Sequence, residues 1–317
     1  MGLLAITVLL FGETVTVTTK IRLCQLETAC LTNWANICKP LIKLDVILTK
    51  VNSRIPGRLF LQNLVERRGL LLQLVRRDFQ QRFVGSAIGW IWGLIHPLVM
   101  LLSWTFVFHY VMGQKGTAGI PYPLTLFAGM LPWLLFSETV QRSASSLLDH
   151  SNLITKTVFP SEIIPVSVFL SSLMSHVLAL TLMVVCSAIY FHRLSVFLIF
   201  LPFYVVVIGL LSVGLGWIVA SLHVFLRDTA QFLSVILTFW FWTTPIFIES
   251  DRFPPWAQPA LKWNPLAYAV DAYRSVLLGT HMPNPRDLAV VTAYGLATFI
   301  IGGLFFRHLK RGFADVL

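Results

Sequence analysis

The sequence predicts an all-α polytopic membrane protein. Six transmembrane helices follow an N-terminal amphipathic helix lying in the membrane plane, and short helices sit at the outer mouth. Three observations carry this expectation. Hydrophobic residues make up 56% of the 317 positions and charged residues only 12%, against roughly 25% charged in a soluble domain. Six stretches, at about 90–112, 122–140, 166–190, 195–224, 229–248 and 289–306, contain no Lys or Arg and a single acid, Glu138. Each has about the 20 residues that cross ~30 Å of hydrocarbon. Finally, the cations gather at the edges of these stretches.

Residues 1–57 do not resemble the remainder of the chain. Their opening, MGLLAITVLLFG, is too short to span and lacks the basic flank of a secretory signal. They form either a poorly ordered extension or a cytoplasmic accessory segment. Residues 58–85 read as an amphipathic helix. Leu61, Leu64, Val65, Leu72, Val75 and Phe79 fall on one side, and Glu66, Arg67, Gln73, Arg77 and Gln80 on the other. With Arg76, Arg77 and Arg82 close to a span, this helix suits the headgroup layer. A helix packed on protein is the other reading.

Residues 86–317 form the six-helix transmembrane domain. The absence of charge inside the spans is informative, since one Lys, Arg or Asp at mid-membrane costs about 2.5–3.5 kcal/mol. Windows two and six, at 19 and 18 residues, give the weakest indication of a span. The fourth is long enough to tilt or to break near Gly209, Gly214 and Gly216, and Gly209, Ser212, Gly216 and Ala220 form a stripe that admits a close helix neighbour. Between the second and third windows, the loop from Arg142 to Pro165 has the pattern of a short helix and then a proline-stiffened exit. The 249–288 segment is punctuated by Pro254, Pro255, Pro259 and Pro265. Leu266, Ala269, Val270, Tyr273, Val276 and Leu277 nevertheless keep helical spacing, as expected of short helices dipping into the outer leaflet.

Charge sets the orientation. The flanks that lie inside, if the chain starts inside, carry Arg67, Arg68, Arg76, Arg77, Arg82, Arg142, Lys156, Arg227, Arg307, Lys310 and Arg311. The opposite side has Lys115, Arg193, Arg252, Lys262, Arg274 and Arg286. Both termini are therefore expected in the cytoplasm. The net charge of +10 thus marks membrane edges and membrane lipid contacts rather than a nucleic-acid site. Cys24, Cys30, Cys38 and Cys186 lack metal-ligand spacing.

Chemistry is sparse. No GxxxxGK[ST] phosphate loop, no HExxH and no paired acids within the spans occur in the sequence. An external energy source is expected, because ion-driven carriers bury ionisable groups at mid-membrane. Glu249 and Asp251 form an acidic pair that suits either a solvated loop or a metal–diphosphate. The dense aromatics, including Trp92, Trp104, Phe108, Trp240 and Trp242, serve as interfacial belts or line a path for sugars.

Four stretches, LLLQLVRRDFQQRFVGSAIGWIWGLIHPLVMLL, SNLITKTVFPSEIIP, FLRD and WNPLAYAVDAYRSVLLG, occur in this order. Together they resemble the membrane subunit of the polysaccharide-export ABC transporters, which export O-antigen, capsule and teichoic acid chains. The resemblance covers residues 61–312. It implies a homodimer of this chain with two copies of a separate cytoplasmic ABC ATPase that holds ATP and Mg, and no catalytic, cofactor or metal site on the chain itself. It implies a lipid-linked polysaccharide as substrate and the cytoplasmic (inner) membrane as location. It further implies an interface helix at Arg76, Arg77, Phe79 and Arg82, and an ATPase-coupling helix over Ser146, Leu147, Leu148, Asp149, His150, Asn152, Leu153 and Lys156. Trp92, Trp104, Phe108, Trp240 and Trp242 would line the channel, and Trp256, Trp263, Tyr268 and Tyr273 would belong to outer gate helices. Two rivals stay open: a permease for a small hydrophobic compound, and a membrane-embedded glycosyl- or acyltransferase.

Overall fold

The structure, a computed structural model, describes residues 68–82, 89–116, 119–156, 159–192, 195–248, 250, 253–256 and 258–316. The extension 1–57, the start of the amphipathic segment with Leu61, Leu64 and Val65, and the Glu249–Asp251 pair lie outside them. The described residues are mostly helical and contain no strand. They form α1 (Arg68–Gln81), α2 (Trp92–Thr105, continued by a wide turn over Phe106–Val111), α3 (Tyr122–Asp149), α4 (Ser151–Lys156) and α5 (Ile163–Phe191). A tight turn over Val196–Phe200 leads into α6 (Leu201–Phe225), which precedes α7 (Thr229–Thr243), α8 (Gln258–Lys262), α9 (Pro265–Leu278), α10 (Pro285–Leu309) and α11 (Phe313–Val316).

Among the described residues five helices have the length and composition to cross a membrane: α2 with its extension, α3, α5, α6 with its leading turn, and α10. The fifth expected window holds only the 15 residues of α7, about 22 Å of helix, and continues as the bent segment 244–248. Contacts nonetheless fix its course. At one end of the bundle Lys310 bonds Glu162 at 2.7 Å and Phe225 lies 6.1 Å from Phe313, so α5 begins where α6 and α10 finish. At the other end the Tyr122 hydroxyl donates to the Phe247 carbonyl at 3.1 Å. The chain therefore travels from the first end to the second between Thr229 and Phe247. The exposed Arg76, Arg77, Arg227, Arg307 and Arg311 lie near the first end, which makes it the basic end of the bundle.

Helix boundaries follow local chemistry. Proline opens α9 and α10, where its missing N–H costs nothing. Asn264 and Asn284 cap them by accepting from the N–H of Leu266 and Arg286 at 3.0 Å. Gly279 ends α9 at φ +65°, a conformation glycine adopts without strain. The long α6 runs unbroken past Gly209, Gly214 and Gly216.

α3 is the hub. Eighteen of its 28 residues are buried, among them Thr139, Ser143 and Ser146, which explains its weak apolar signal: it faces helices rather than lipid. It also continues to Asp149, further than the expected span and into the region read as a loop. The small-residue stripe of α6 faces α3 and α5, with Gly209 against Phe169 and Gly216 against Ser143 and Pro165. The closest approach is on another side, where Gly214 and Gly302 bring α6 and α10 together so tightly that a Cβ on Gly302 would fall on the Gly214 backbone.

α1 packs on the basic end of α5 through Leu71, Leu74 and Val75, which meet Ile163, Phe159, Val166 and Leu170. This corrects the expected apolar side: Leu72 is 64% exposed, because the helix presents the 71/74/75 face to α5. The α6–α10 crossing generates a prediction. Gly302→Ala should lower the melting temperature in detergent by an amount equivalent to about 1–3 kcal/mol of overpacking. Gly303→Ala, whose nearest neighbour would be Trp217 at an ordinary 3.5 Å, should leave it nearly unchanged.

Candidate functional site

At the basic end four charges interlock. Arg142 of α3 donates to both carboxylate oxygens of Asp78 at 2.7 Å. Arg82, just past α1, pairs with Glu138 of α3 at 2.5 Å and donates to Ser172 and Ser175 of α5 at 3.0 and 3.2 Å. The Ser172 hydroxyl in turn donates to Glu138. Along each helix the acid precedes the Arg by four residues, the spacing that places both on one face, and the two pairs cross. Side-chain exposures of 17–35% make the network partly desolvated. Removing one partner then costs more than the ~0–1 kcal/mol of a surface pair but less than the ~3–5 kcal/mol of a fully buried one.

The network ties α1, α3 and α5 into one unit. Seven residues beyond Arg142, α3 ends at Asp149 and turns into α4. Of the expected coupling residues, Ser146 and Leu147 are buried in the end of α3, a correction to their reading as part of a separate surface helix. Leu148 and Leu153 are half-buried, and the His150 ring nitrogen Nδ1 is 2.8 Å from the Ser146 carbonyl. Asp149 and Asn152 are exposed, and α4 closes at Lys156.

A cleft of about 620 Å³ opens among α2, α3, α5 and α7, with Arg82, Trp92, His96, Glu138, His176 and Phe241 in its wall. The wall mixes aromatic faces with polar groups and reaches the charge network at Arg82 and Glu138. Of the aromatics expected to line a channel, Trp92 is on this cleft. Trp104, Phe108 and Trp242 instead gather around Phe247 at the far end, with ring centroids 4.7, 4.3 and 5.5 Å from it. Trp240 turns away from both: its Nε1 donates to Asn264 Oδ1 at 2.9 Å and its ring lies 5.1 Å from Phe136. It is a tether for the cap of α9.

The 249–288 segment divides in two. Trp256 and Trp263 are 84% and 79% exposed, and the half-buried Tyr268 donates to the Lys262 carbonyl at 3.0 Å. α9 is different, since twelve of its 14 residues are buried. Tyr273 is wholly enclosed and hydrogen-bonded to His176 of α5 at 3.2 Å. Arg274, read from sequence as an outer-loop cation, is buried instead. It donates to the carbonyls of Thr125 and Ile246 and lies against Gly129, where a Cβ would stand 2.9 Å from its Nη2. α9 thus re-enters the bundle, stitched to α3 and to the exit of α7. The network Asp78–Arg82–Glu138–Arg142 and the burial of Arg274 were both missed from sequence. The i, i+4 acid–Arg spacing repeated on two segments was the signal for the first, and Arg274 gave none.

A bundle of long apolar helices, with the short α9 folded back into it, suits a membrane protein with several crossings. The chain belongs to the ABC-2 type transporter family, whose model matches residues 69–278. It is similar to the O-antigen export system permease protein RfbA of Myxococcus xanthus, 29% identical over 257 residues covering 80% of this chain and 97% of that protein. It is also similar to RfbA of Klebsiella pneumoniae, 27% identical over 250 residues, 78% of this chain and 95% of that one. The polysialic acid transport protein KpsM of Escherichia coli is 23% identical over 237 residues, 74% and 91% of the two chains.

The tether assigned to Trp240 is testable. Trp240→Phe keeps the ring and loses the bond to Asn264, so thermal unfolding in detergent should show a loss of about 1 kcal/mol. Trp242→Phe, on the exposed side of α7, should change it much less.

Proposed function

We propose that the chain is the transmembrane permease subunit of an ATP-driven exporter that moves a lipid-linked polysaccharide, of O-antigen, capsule or teichoic acid type, across the cytoplasmic membrane. The observation that carries this reading is the placement of α4. A short, partly exposed turn sits at the basic end, continuous with the hub helix α3 and locked through Arg142 to α1. Such a turn is a lever for a soluble partner. Membership in the ABC-2 family supports an ABC ATPase as that partner, and the names of the related permeases favour a glycan over a small hydrophobic compound.

In this reading two copies of the chain assemble with two copies of the ATPase, which binds ATP and Mg. The chain crosses the membrane six times, α7 and the 244–248 bend supplying the fifth crossing, with both termini and α4 in the cytoplasm. The second copy covers the apolar faces that α2 and α7 leave open, where Leu102 and Phe239 are 68% and 73% exposed. ATP closes the partner dimer, α4 moves with it, and α3 carries the displacement into the bundle so that the path alongside α2 and α7 widens or narrows. ATP biases this equilibrium only by favouring one of the two states. The substrate's sugars pack on aromatic faces such as Trp92 and Phe241, and the polar wall between them accepts hydroxyls in varied patterns.

The test is co-purification with the ATPase encoded beside this chain, with hydrolysis measured against candidate lipid-linked glycans. Asp149→Lys with Asn152→Lys, both on exposed positions, should reduce glycan export at least tenfold while insertion and melting temperature stay at wild-type values. Normal export by the doubly substituted chain would contradict the coupling role.

A further inference from the structure

His176 is the fourteenth of the 29 residues of α5, at the middle of that helix and directly beyond the serines that hold the charge network. It is buried, yet it is part of the cleft wall. On its other side the imidazole Nε2 shares a hydrogen bond of 3.2 Å with the Tyr273 hydroxyl, and the two rings lie 5.9 Å apart. Tyr273 comes from the outer side on α9 and is completely enclosed. An enclosed phenol without a partner is costly, so this bond helps decide where α9 rests. Immediately before His176 in sequence, Ser175 receives Arg82, and one turn earlier Ser172 joins Arg82 to Glu138. A single turn of α5, 172–176, therefore holds the charge network with its serines and the re-entrant helix with its histidine.

We propose that His176 is the positioning residue of the outer gate: it latches α9 in the closed position through Tyr273, and it does so from the wall of the cleft. No element other than α5 presents a polar side chain to the Tyr273 hydroxyl among the described contacts. The same imidazole is the nearest link between the contents of the cleft and α9. A hydroxyl-rich ligand filling the cleft competes for His176 and loosens the latch, so the chain opens outward when the path is loaded. The gating role rests on the exporter reading; the latch itself does not.

The experiment measures gate opening without any glycan. In the full chain with Cys24, Cys30, Cys38 and Cys186 replaced by Ser, a reporter is placed by Ala272→Cys, next to Tyr273 and buried in α9. Its reaction with a membrane-impermeant maleimide is timed in proteoliposomes. His176→Leu and Tyr273→Phe should each accelerate labelling at least tenfold, the two together no more than either alone, and His176→Gln, which keeps a hydrogen-bonding group, should return it toward the parent rate. A second reporter, Ala144→Cys at the buried basic end of α3, should stay unreactive in every variant, which separates local release of α9 from general loosening. Unchanged labelling in His176→Leu, or equal labelling of the Ala144→Cys reporter, overturns the latch. Because no substrate is present, that failure would leave the export reading standing, and a failure of the export tests would leave the labelling result readable.

Discussion

The pairing of Asp78 with Arg142, crossed with that of Arg82 with Glu138, is the constraint on which the rest of the structure depends. Four charges at the rim of an apolar bundle are tolerable only when they neutralise one another, and they can do so only if α1, the end of α3 and the middle of α5 hold one relative position. The hydrophobic contacts between α1 and α5 involve few residues and would permit sliding; the ionic contacts have directional geometry and do not. α4 inherits that rigidity because it is separated from α3 by a single residue, His150.

The two ends of the bundle are built on different principles. At the basic end, partly exposed charges pair across helices, with Lys310 on Glu162 repeating the pattern between α10 and α5. At the far end the same kind of charge, Arg274, is taken inside, where it pairs with Asp271 of its own helix at 3.6 Å and donates to backbone carbonyls, one of them freed where α7 gives way to the 244–248 bend. Irregular backbone at membrane depth is viable only where protein satisfies it, and Arg274 supplies that satisfaction. The far end thus has a helix that re-enters the bundle, held by Arg274, the Tyr273–His176 bond and the Trp240–Asn264 bond.

Much of this was legible in the sequence. Apolar windows bounded by cations located the long helices, since charge is excluded from hydrocarbon strongly enough to leave a gap in the sequence. The helical spacing of Leu266, Ala269, Val270, Tyr273, Val276 and Leu277 located α9 despite the prolines around it. Less was visible where partners lie far apart in the chain. Nothing near Arg274 indicates that Thr125 and Ile246 will meet it, and Trp240 carries the same aromatic signature as Trp242 although only one of them finds Asn264. The amphipathic side of α1 was misassigned by one residue around Leu72, because periodicity gives a stripe while its facing is decided by α5. Ser146 and Leu147, which the pattern assigns to the short helix, belong to α3, because α3 stays helical and buried up to the point where it emerges.

The central claim is that α1, α3 and α4 form one rigid body through which force enters the bundle. It is tested most directly by a pulsed electron-spin distance between labels at the exposed Arg77 and Asn152, with the ATPase partner bound, in the nucleotide-free and ATP-trapped states. The account predicts a single distance distribution that is the same in both states. Two distinct distributions, shifting with nucleotide, would contradict it.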